Sequence, residues 1–381
     1  MLRLASMPVA HSRGAAEPGQ PDAGRAAPAA ALREILFAMS VAHLPETTGG
    51  VESTTHELCL ALIRRGWRPA VLCGTGGPMS GADEALGYPV ERSRDPLAAV
   101  GALSRRGRPA AAIVQLGRLV PLAQALVDAG VPTLIYLHNL ELAEMGGALF
   151  RHALLGYLTN SAFMATALTP VLGLRPTVVP PLIEPSAYRT TPAGRVVTFV
   201  NPLPAKGLDI ALHLAARRPD IPFEFVESWP LRPAEEEDLA ARLAPLANVT
   251  LTRRGADMRA IYGRSRLLLA PSRWVESWGR VASEAQISGL PVIATRSGGL
   301  PEAVGPGGIL IDADAPPAEW ETALAALWDD PAAHRRLAAA ALAHAARPDF
   351  QPAALLDRFV AAVAAHIAAT AAGRCGAEAG A

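Results

Sequence analysis

The sequence predicts two consecutive α/β domains, each built on a doubly wound parallel sheet with helices on both faces. The chain has 381 residues, more than one ordinary domain needs, and half of them are hydrophobic, which is enough for two cores. Short apolar runs alternate with amphipathic segments in two series, separated by a proline-rich stretch. Strand–helix alternation of this kind is the pattern of parallel sheets covered by helices.

The first series begins with an apolar run, "REILFAMS", followed by a glycine-bearing loop, an amphipathic helix and a second apolar run. This order predicts a βαβ unit. The strands predicted in this series are 33–40, 68–74, 110–116, 132–138 and 156–161, and the first helix is 51–65. We assign residues 33–185 to an N-terminal Rossmann-like domain, and the extended stretch 177–188 to the connection between domains.

The second series has six apolar runs with helical segments between most of them, and it predicts a second Rossmann-like domain over residues 186–349. Its predicted strands are 195–201, 223–228, 248–254, 267–272, 291–297 and 308–312. A last helix, 350–371, is expected to pack back on the N-terminal domain. Residues 1–32 lack a continuous apolar segment and are expected to be a disordered leader, and residues 372–381 a flexible tail.

Composition excludes several classes of protein. Lys+Arg and Asp+Glu balance at 35 each, which argues against a nucleic-acid binder because such proteins usually carry a basic excess. Cys59, Cys73 and Cys375 include no close pair, so neither a zinc site nor a disulfide framework is indicated, and a cytoplasmic setting is expected. No apolar run reaches the roughly 18–20 residues that a membrane-spanning helix needs.

The loop "TTGGVE" is the first candidate ligand-binding segment. Gly49 and Gly50 lack Cβ atoms, so the backbone can approach a ligand closely, and the following helix presents its N-terminus there. A tight turn between a strand and a helix is the competing interpretation. The G-x-G-x-x-G spacing of dinucleotide-binding loops is missing.

Lys206 is the second candidate, in "NPLPAKGLDIAL". A lysine at the end of a loop, followed by glycine and an amphipathic helix, is well placed to meet an anionic group such as a phosphate. Basic residues in this chain are mostly arginine, so a lysine at this place suggests a specific role. A solvent-exposed lysine at a helix start is the alternative.

The third candidate is "PSRWVESWGRVASEAQISGLPVIATRSGGLPE", which carries Glu276 and Glu284 around a helix start at Gly279. On one helix the two carboxylates would lie roughly 12 Å apart, too far to act on one atom. With Glu276 in the loop, they instead suit hydroxyls at the two ends of one ligand, with an anion at the helix start between them. A sugar joined to a nucleoside through a diphosphate has this layout. A solvated pair of glutamates is the alternative.

These segments resemble the retaining GT-B glycosyltransferases, in particular the family-4 (group 1) type, over about residues 35–350. The resemblance rests on the carboxylate–seven–carboxylate segment with its trailing Gly-Gly-x-x-Glu, on "AKG" at 205–207 and on "GGVE" at 49–52. It implies a GT-B fold, in which two Rossmann-like domains enclose a cleft. The residue roles that it implies are Glu284 for the donor ribose, Glu276 for the transferred sugar, the amides of Gly279, Arg280 and Val281 for the diphosphate or sugar, Lys206 for the leaving diphosphate, Gly49 and Gly50 for the N-terminal glycine loop, and His138 near the anomeric centre.

Two positions depart from the family pattern. Asn201 stands where the family usually has arginine, so one cation for the leaving group is absent or comes from elsewhere, with Arg273 and Arg280 as candidates. Asn139 follows His138 where an acidic residue is common. For His138 itself, a buried histidine that caps a strand end is the competing interpretation.

The resemblance implies transfer of a sugar from a nucleotide-diphosphate sugar to an acceptor hydroxyl, with retention of configuration and without a metal or other cofactor. The acceptor, a saccharide, a lipid-linked or a small molecule, is expected to bind the N-terminal domain. Arg64–Arg65 and residues 105–108 fit peripheral contact with anionic lipid, and also fit ordinary solvated helix ends. A weak or inactive nucleotide-sugar-binding module and a GT-B-type sugar-nucleotide epimerase remain as alternatives.

Overall fold

A computed structural model describes residues 34–77, 80–106 and 108–378 of the chain. The predicted leader, Gly107 and the last three residues of the predicted tail lie outside the described residues. The strands are β1 (Glu34–Ala42), β2 (Arg68–Gly74), β3 (Gly81–Asp83), β4 (Val90–Ser93), β5 (Ala111–Val114), β6 (Thr133–Leu137), β7 (Leu155–Thr159), β8 (Thr177–Val178), β9 (Val196–Val200), β10 (Phe223–Val226), β11 (Val249–Thr252), β12 (Ser265–Ala270), β13 (Val292–Thr295) and β14 (Gly308–Ile311).

Helices connect most of these strands in sequence order. They are α1 (Gly50–Arg64), α2 (Pro96–Arg106), α3 (Leu119–Asp128), α4 (Ala162–Leu172), α5 (Pro185–Tyr188), α6 (Leu208–Arg217), α7 (Pro233–Leu243), α8 (Met258–Arg264), α9 (Arg280–Gln286), α10 (Leu300–Val304), α11 (Pro317–Trp328), α12 (Pro331–Ala345) and α13 (Pro352–Glu378).

The strands form two separate sheets, as the two series predicted. The first sheet has the order β3-β4-β2-β1-β5-β6-β7-β8, and the second has the order β11-β10-β9-β12-β13-β14. Every pairing is parallel except β3 with β4. The predicted class, two doubly wound α/β domains, is therefore confirmed. The antiparallel edge strand β3, its neighbour β4 and helix α2 were not predicted.

Burial on both faces explains why the central strands are continuous apolar runs. In β1, Phe37, Ala38 and Met39 are fully buried although successive side chains point to opposite faces. Phe37 and Met39 belong to the core on one face of the first sheet, and Ala38 belongs to the core on the other. The second sheet likewise separates two cores.

Helix α13 follows the second sheet but completes the core of the first domain. Leu355, Leu356, Phe359 and Val363 are buried in the same cluster as Phe37, and the Phe37 and Phe359 rings stack with their centroids 6.0 Å apart. This packing is the one expected for the last predicted helix. The helix continues to Glu378, into the segment predicted to be a flexible tail.

By length and composition, α13 is also the one helix among the described residues that could cross a membrane. Its apolar stretch is Pro352–Ala372, and 28% of its most apolar window is buried inside the protein. The sequence analysis expected no apolar run of membrane-spanning length, and this expectation is wrong for α13, whose length and composition meet that criterion. Its buried residues pack on the N-terminal domain, which is also what a core helix does.

The strand orders indicate where a ligand-binding cleft is expected. In each sheet the order of winding reverses at one point, between β1 and β5 in the first sheet and between β9 and β12 in the second. In doubly wound sheets the loops diverge at such a point and leave a crevice at the carboxyl ends of the strands. The loops that follow β1, β9 and β12 are those that carry the three candidate segments.

Candidate functional site

A cavity of about 300 Å³ lies between the two domains, at the carboxyl ends of both sheets. The three candidate segments, which are far apart in sequence, all contribute to its walls. Of the residues singled out in the sequence, the cavity is lined by Gly49, Gly50, His138, Asn139, Asn201, Lys206, Glu276, Gly279, Arg280, Val281 and Glu284. The fold therefore brings both carboxylates, the lysine, the histidine and the glycine loop to one cleft.

Lys206 and Glu276 form an ion pair in the cleft. The Lys206 Nζ donates to Glu276 Oε1 at 2.7 Å, and the Ser272 hydroxyl donates to the same oxygen at 2.8 Å. Their side chains are 14% and 18% exposed, so both are partly withdrawn from water but still reach the cavity. The ammonium also lies 4.8 Å from the ring centroid of Trp229 and 5.9 Å from that of Trp274. These contacts fix the position of the lysine that lines the cleft.

The backbone around this pair is held by close approaches that require glycine. The amides of Arg273 and Trp274 both donate to the Ala205 carbonyl, at 2.9 Å each, and thus join the lysine loop to the segment after β12. Gly207 has φ +82, and a Cβ atom there would overlap the Pro271 carbonyl. Gly298 packs in the same way against the backbone of Glu276. Gly207 and Gly298 thus permit close packing between these loops.

Asn201 performs a structural task in the cleft wall. Its Oδ1 accepts hydrogen bonds from the amides of Ser228 and Trp229, at 3.0 and 2.8 Å. Its φ of 60 lies in the left-handed region, which asparagine tolerates better than most residues. The side chain therefore joins the start of the lysine loop to the loop after β10.

Glu284 lies on α9, which begins after Gly279. Gly279 has φ +101, and a Cβ atom there would come within 2.5 Å of Leu300 Cδ2, so glycine is required at this helix start. The Glu284 carboxylate is 5% exposed and accepts from Arg280 Nε at 2.7 Å and from the Tyr262 hydroxyl at 2.9 Å. Burial raises the pKa of Glu284, and the Arg280 guanidinium offsets part of this rise.

The Arg280 side chain joins the two domains. Its guanidinium donates to Thr54 Oγ1 at 2.8 Å and to the Glu57 carboxylate, both on α1, while its Nε holds Glu284. It also bonds the Leu182 carbonyl and the Tyr188 hydroxyl in the interdomain connection. This guanidinium was a candidate second cation for the leaving group, but the structure directs it into a buried interdomain network.

Arg273 does not line the cleft. Its guanidinium pairs with Asp209 at 2.7 Å and donates to the Ala313 carbonyl at 3.0 Å, and the side chain is 41% exposed. The backbone amide of Arg273 holds the lysine loop, whereas its charge points away from the cavity. The structure therefore does not bring Arg273 to the place where it was expected to replace the missing cation.

His138 follows β6 directly and contributes to the cleft from the N-terminal domain. Its Nε2 lies 3.2 Å from the Gln115 Oε1, and its ring packs 4.0 Å from that of Tyr136. Burial lowers the pKa of His138 to about 3, so the imidazole is neutral at physiological pH. A neutral imidazole offers one hydrogen-bond donor and one acceptor, and it adds no charge to the cleft.

Two further contacts between the domains come from the same segment that lines the cleft. The Asn160 side-chain amide donates to the Ser277 hydroxyl at 2.8 Å. Glu302, the last residue of the Gly-Gly-x-x-Glu pattern, accepts from the amides of Ala162 and Phe163 at 2.9 and 2.7 Å. A carboxylate of the C-terminal domain thus caps helix α4 of the N-terminal domain.

Sequence reasoning did not find the residues that act through tertiary contacts. Glu57, Tyr188 and Tyr262 surround Arg280 and Glu284, and Trp229 lies against Lys206. Glu57 is more than two hundred residues from Arg280 along the chain. The one available signal was an acidic residue in the middle of α1 at a position that faces the core.

The architecture places the chain in the class of GT-B proteins. The structure matches Anabaena Alr3699/HepE, solved in complex with UDP-glucose, with a TM-score of 0.71 over 87% of this chain and 99% of that chain, at 20% identity. It matches sucrose-phosphate synthase from Thermosynechococcus elongatus with a TM-score of 0.74 over 88% of this chain and 100% of that chain, at 18% identity. At these identities the likeness establishes the fold.

The sequence of the second domain is similar to that of a known family. Residues 189–344 match the family described as glycosyl transferases group 1. A D-inositol 3-phosphate glycosyltransferase of Corynebacterium kroppenstedtii is 45% identical over 103 residues, which are 26% of this chain and 22% of the relative. One of Segniliparus rotundus is 34% identical over 194 residues, 45% of this chain and 43% of the relative. The chain thus spans less than half the length of the curated relatives that it matches. The match of residues 189–344 agrees with the group 1 resemblance seen in the sequence.

Proposed function

We propose that this protein is a glycosyltransferase that moves a sugar from a nucleotide-diphosphate sugar to an acceptor hydroxyl. The observation that carries the proposal is the convergence of Lys206, Glu276 and Glu284 on one interdomain cleft, together with the start of α9. Two comparisons support it: the group 1 family match of the second domain, and the complex of Anabaena Alr3699/HepE, which has the same fold, with UDP-glucose.

The proposed roles follow from the chemistry of each side chain. Glu284 accepts hydrogen bonds from the ribose hydroxyls, and Glu276 accepts hydrogen bonds from hydroxyls of the transferred sugar. The backbone amides of Gly279, Arg280 and Val281 face the diphosphate. Lys206 neutralises charge that grows on the diphosphate as it leaves. Because His138 is neutral, it contributes a hydrogen bond near the reacting carbon but no positive charge. The positive charge that faces the diphosphate is that of Lys206.

In the proposed reaction the acceptor oxygen forms a bond to the anomeric carbon while the bond from that carbon to the phosphate oxygen breaks. The acceptor hydroxyl proton passes to the departing phosphate oxygen, so the products are a glycoside and a nucleoside diphosphate. We propose attack on the same face as departure, with retention of configuration and with Lys206 in place of a metal. The product anomer, determined by NMR, and activity in the presence of EDTA test these two features.

The first experiment is a panel of UDP-, GDP- and dTDP-sugars, measured by thermal shift and by slow donor hydrolysis. A sugar nucleotide that stabilises the protein and is hydrolysed supports the enzyme. Inositol phosphate is included among the acceptors because the matched relatives are D-inositol 3-phosphate glycosyltransferases. Stabilisation without turnover under any acceptor would instead indicate a binding module.

Variants connect the response to the site. Lys206→Ala should reduce hydrolysis by about a hundredfold or more, because one charge-stabilising group in a preorganised site contributes about this much. Glu284→Ala should abolish stabilisation by the donor. Arg273→Ala is the matched control, since Arg273 is a nearby cation directed away from the cleft. An unchanged donor response in the first two variants would refute the site assignment.

A further inference from the structure

The Trp229 indole stands in the cleft with 36% of its surface exposed, although large apolar side chains in the described residues are mostly buried. It lies in the loop after β10, at the end of the cleft that holds Lys206 and Glu276. The Lys206 Nζ is 4.8 Å from its ring centroid, and its Nε1 would lie 3.4 Å from a Cβ atom on Gly49. The indole thus fills the space between the lysine loop and the glycine loop of the other domain.

This position is fixed from both domains. Asn201 Oδ1 holds the amides of Ser228 and Trp229, and the Ser228 hydroxyl donates to the Thr48 carbonyl at 3.2 Å. Asn201 is itself 9% exposed, so its two hydrogen bonds are shielded from water. These hydrogen bonds hold the backbone that carries the indole, and residues of a preorganised binding site are supported by their neighbours in this way.

The neighbours of Trp229 at this end of the cleft recognise charge and hydroxyl groups. Lys206 suits an anion, and Glu276 accepts hydrogen bonds. A pyranose ring also presents an apolar face of C–H groups, which needs an apolar surface to pack against. The exposed part of the indole is such a surface, and ligand sites commonly combine aromatic walls with a few placed polar groups.

We propose that Trp229 is a substrate-contacting residue that selects for the sugar of the donor, and that Asn201 is its positioning residue. The inference rests on the proposed function and adds to it a contact with the C–H face of the transferred sugar. It implies that Trp229 stabilises the bound nucleotide sugar but contributes little to binding of the nucleoside diphosphate alone.

The test compares affinities of the full chain for UDP-glucose, GDP-mannose and dTDP-glucose with those for UDP, GDP and dTDP, by calorimetric titration. The comparison uses the nucleotide sugar that the wild-type protein binds and the corresponding nucleoside diphosphate. Trp229→Leu should lower the affinity for the nucleotide sugar about tenfold and the affinity for the nucleoside diphosphate less than about threefold. Trp229→Phe should retain most of the difference, because it keeps an aromatic face. Trp328→Phe, outside the cleft lining, is the control.

Asn201 is tested by the ratio of the two affinities. Asn201→Gly keeps the left-handed backbone but removes the acceptor, and should lower the ratio as Trp229→Leu does. Asn201→Asp keeps an acceptor oxygen and should restore the ratio. A substitution that only disordered the loop would lower the affinities for the nucleotide sugar and the nucleoside diphosphate to the same extent.

If Trp229→Leu lowered the affinities for the nucleotide sugar and the nucleoside diphosphate equally, the inference would be overturned. The indole would then affect diphosphate binding by positioning Lys206. Unchanged affinities would overturn it as well. If the wild-type protein bound none of the six ligands, the proposed function itself would fail and the inference with it. Binding by the wild type with no selective loss in the variants would leave the proposed function intact.

Discussion

Glu52 is a carboxyl group almost fully withdrawn from water, 6% exposed, in the first turn of α1. Burial raises its pKa to about 7, partly countered by a hydrogen bond from its own backbone. The folded protein therefore retains a proton on Glu52 at pH values where the unfolded chain, with a pKa of about 4.5, has lost it. The stability that this difference provides is complete below about pH 4.5 and is lost as the pH rises towards 7.

We therefore expect Glu52→Gln, which resembles the neutral acid, to gain stability relative to the wild-type protein as the pH rises from about 4.5 to 7. Urea denaturation at several pH values measures the difference. Glu84→Gln, at an exposed position, is the control and should show a flat difference. A flat difference for Glu52→Gln as well would show that Glu52 is ionised in the folded state.

Gly279 adopts a backbone conformation that a side chain would strain. Gly279→Ala combines φ +101 with a Cβ atom 2.5 Å from Leu300 Cδ2, and should lower the free energy of unfolding by about 2 kcal/mol. It should also weaken donor binding, because α9 begins there. Gly76→Ala is the matched control, since a Cβ atom there meets nothing within 4 Å. Equal stability of the two variants would contradict this account.

At the scale of elements, helix α4 has an N-terminus capped from two sides. Ser161 provides the ordinary cap within the chain by accepting from the Met164 amide at 3.0 Å, whereas Glu302 accepts from Ala162 and Phe163 across the domain interface. The helix N-terminus thus becomes a joint between the domains. Its stability depends on their mutual placement.

Glu302→Ala should lower stability by about 1–2 kcal/mol and speed hydrogen exchange at the first amides of α4, because two donors lose their acceptor. Asp330→Ala is the control, since Asp330 caps two amides of α12 within one domain. That variant should speed exchange only in α12. If Glu302→Ala left exchange in α4 unchanged, the interdomain cap would have no energetic role.

Elements with strong apolar patterns were predictable from the sequence, and elements without them were not. Central strands such as β1 and β9 are apolar because both of their faces are buried. In contrast, the edge strand β3 ("GAD") and its neighbour β4 ("VERS") are only three and four residues long and contain polar residues, so no apolar periodicity reveals them. In the site, glycine and carboxylate spacing predicted the loops around Gly279. The roles of Glu57 and Trp229 arise from contacts between distant segments, and the only local signal was the acidic residue on the core-facing side of α1.

At the scale of the whole molecule, Arg280 is the centre of a buried network that joins the domains and also holds a carboxylate of the proposed donor site. Removal of one partner from a buried ion pair is destabilising. Glu284 still faces Arg280 when the Glu57 charge is lost, but the part of the guanidinium that bonds α1 no longer meets a carboxylate. Glu57→Gln should therefore lower the free energy of unfolding by about 3 kcal/mol. It should also weaken donor binding, although Glu57 does not line the cleft.

Chemical denaturation and nucleotide-sugar titration of the same variant measure both effects. Arg65→Ala removes an ion pair with Asp357 whose side chains are 50% and 63% exposed, and should change stability by less than about 1 kcal/mol. A loss of stability in Glu57→Gln without any change in donor affinity would show that the network is structural only.

The return of α13 to the first domain bears on the order in which the protein folds during synthesis. Phe37 in the first strand of the N-terminal domain packs against Phe359, near the end of the chain. The N-terminal core therefore stays incomplete until the ribosome has released α13, whereas all strands of the C-terminal sheet lie before residue 312. The C-terminal domain, although it is synthesised later, can therefore complete its fold before the N-terminal domain. Until α13 packs, part of the apolar core of the N-terminal domain remains uncovered.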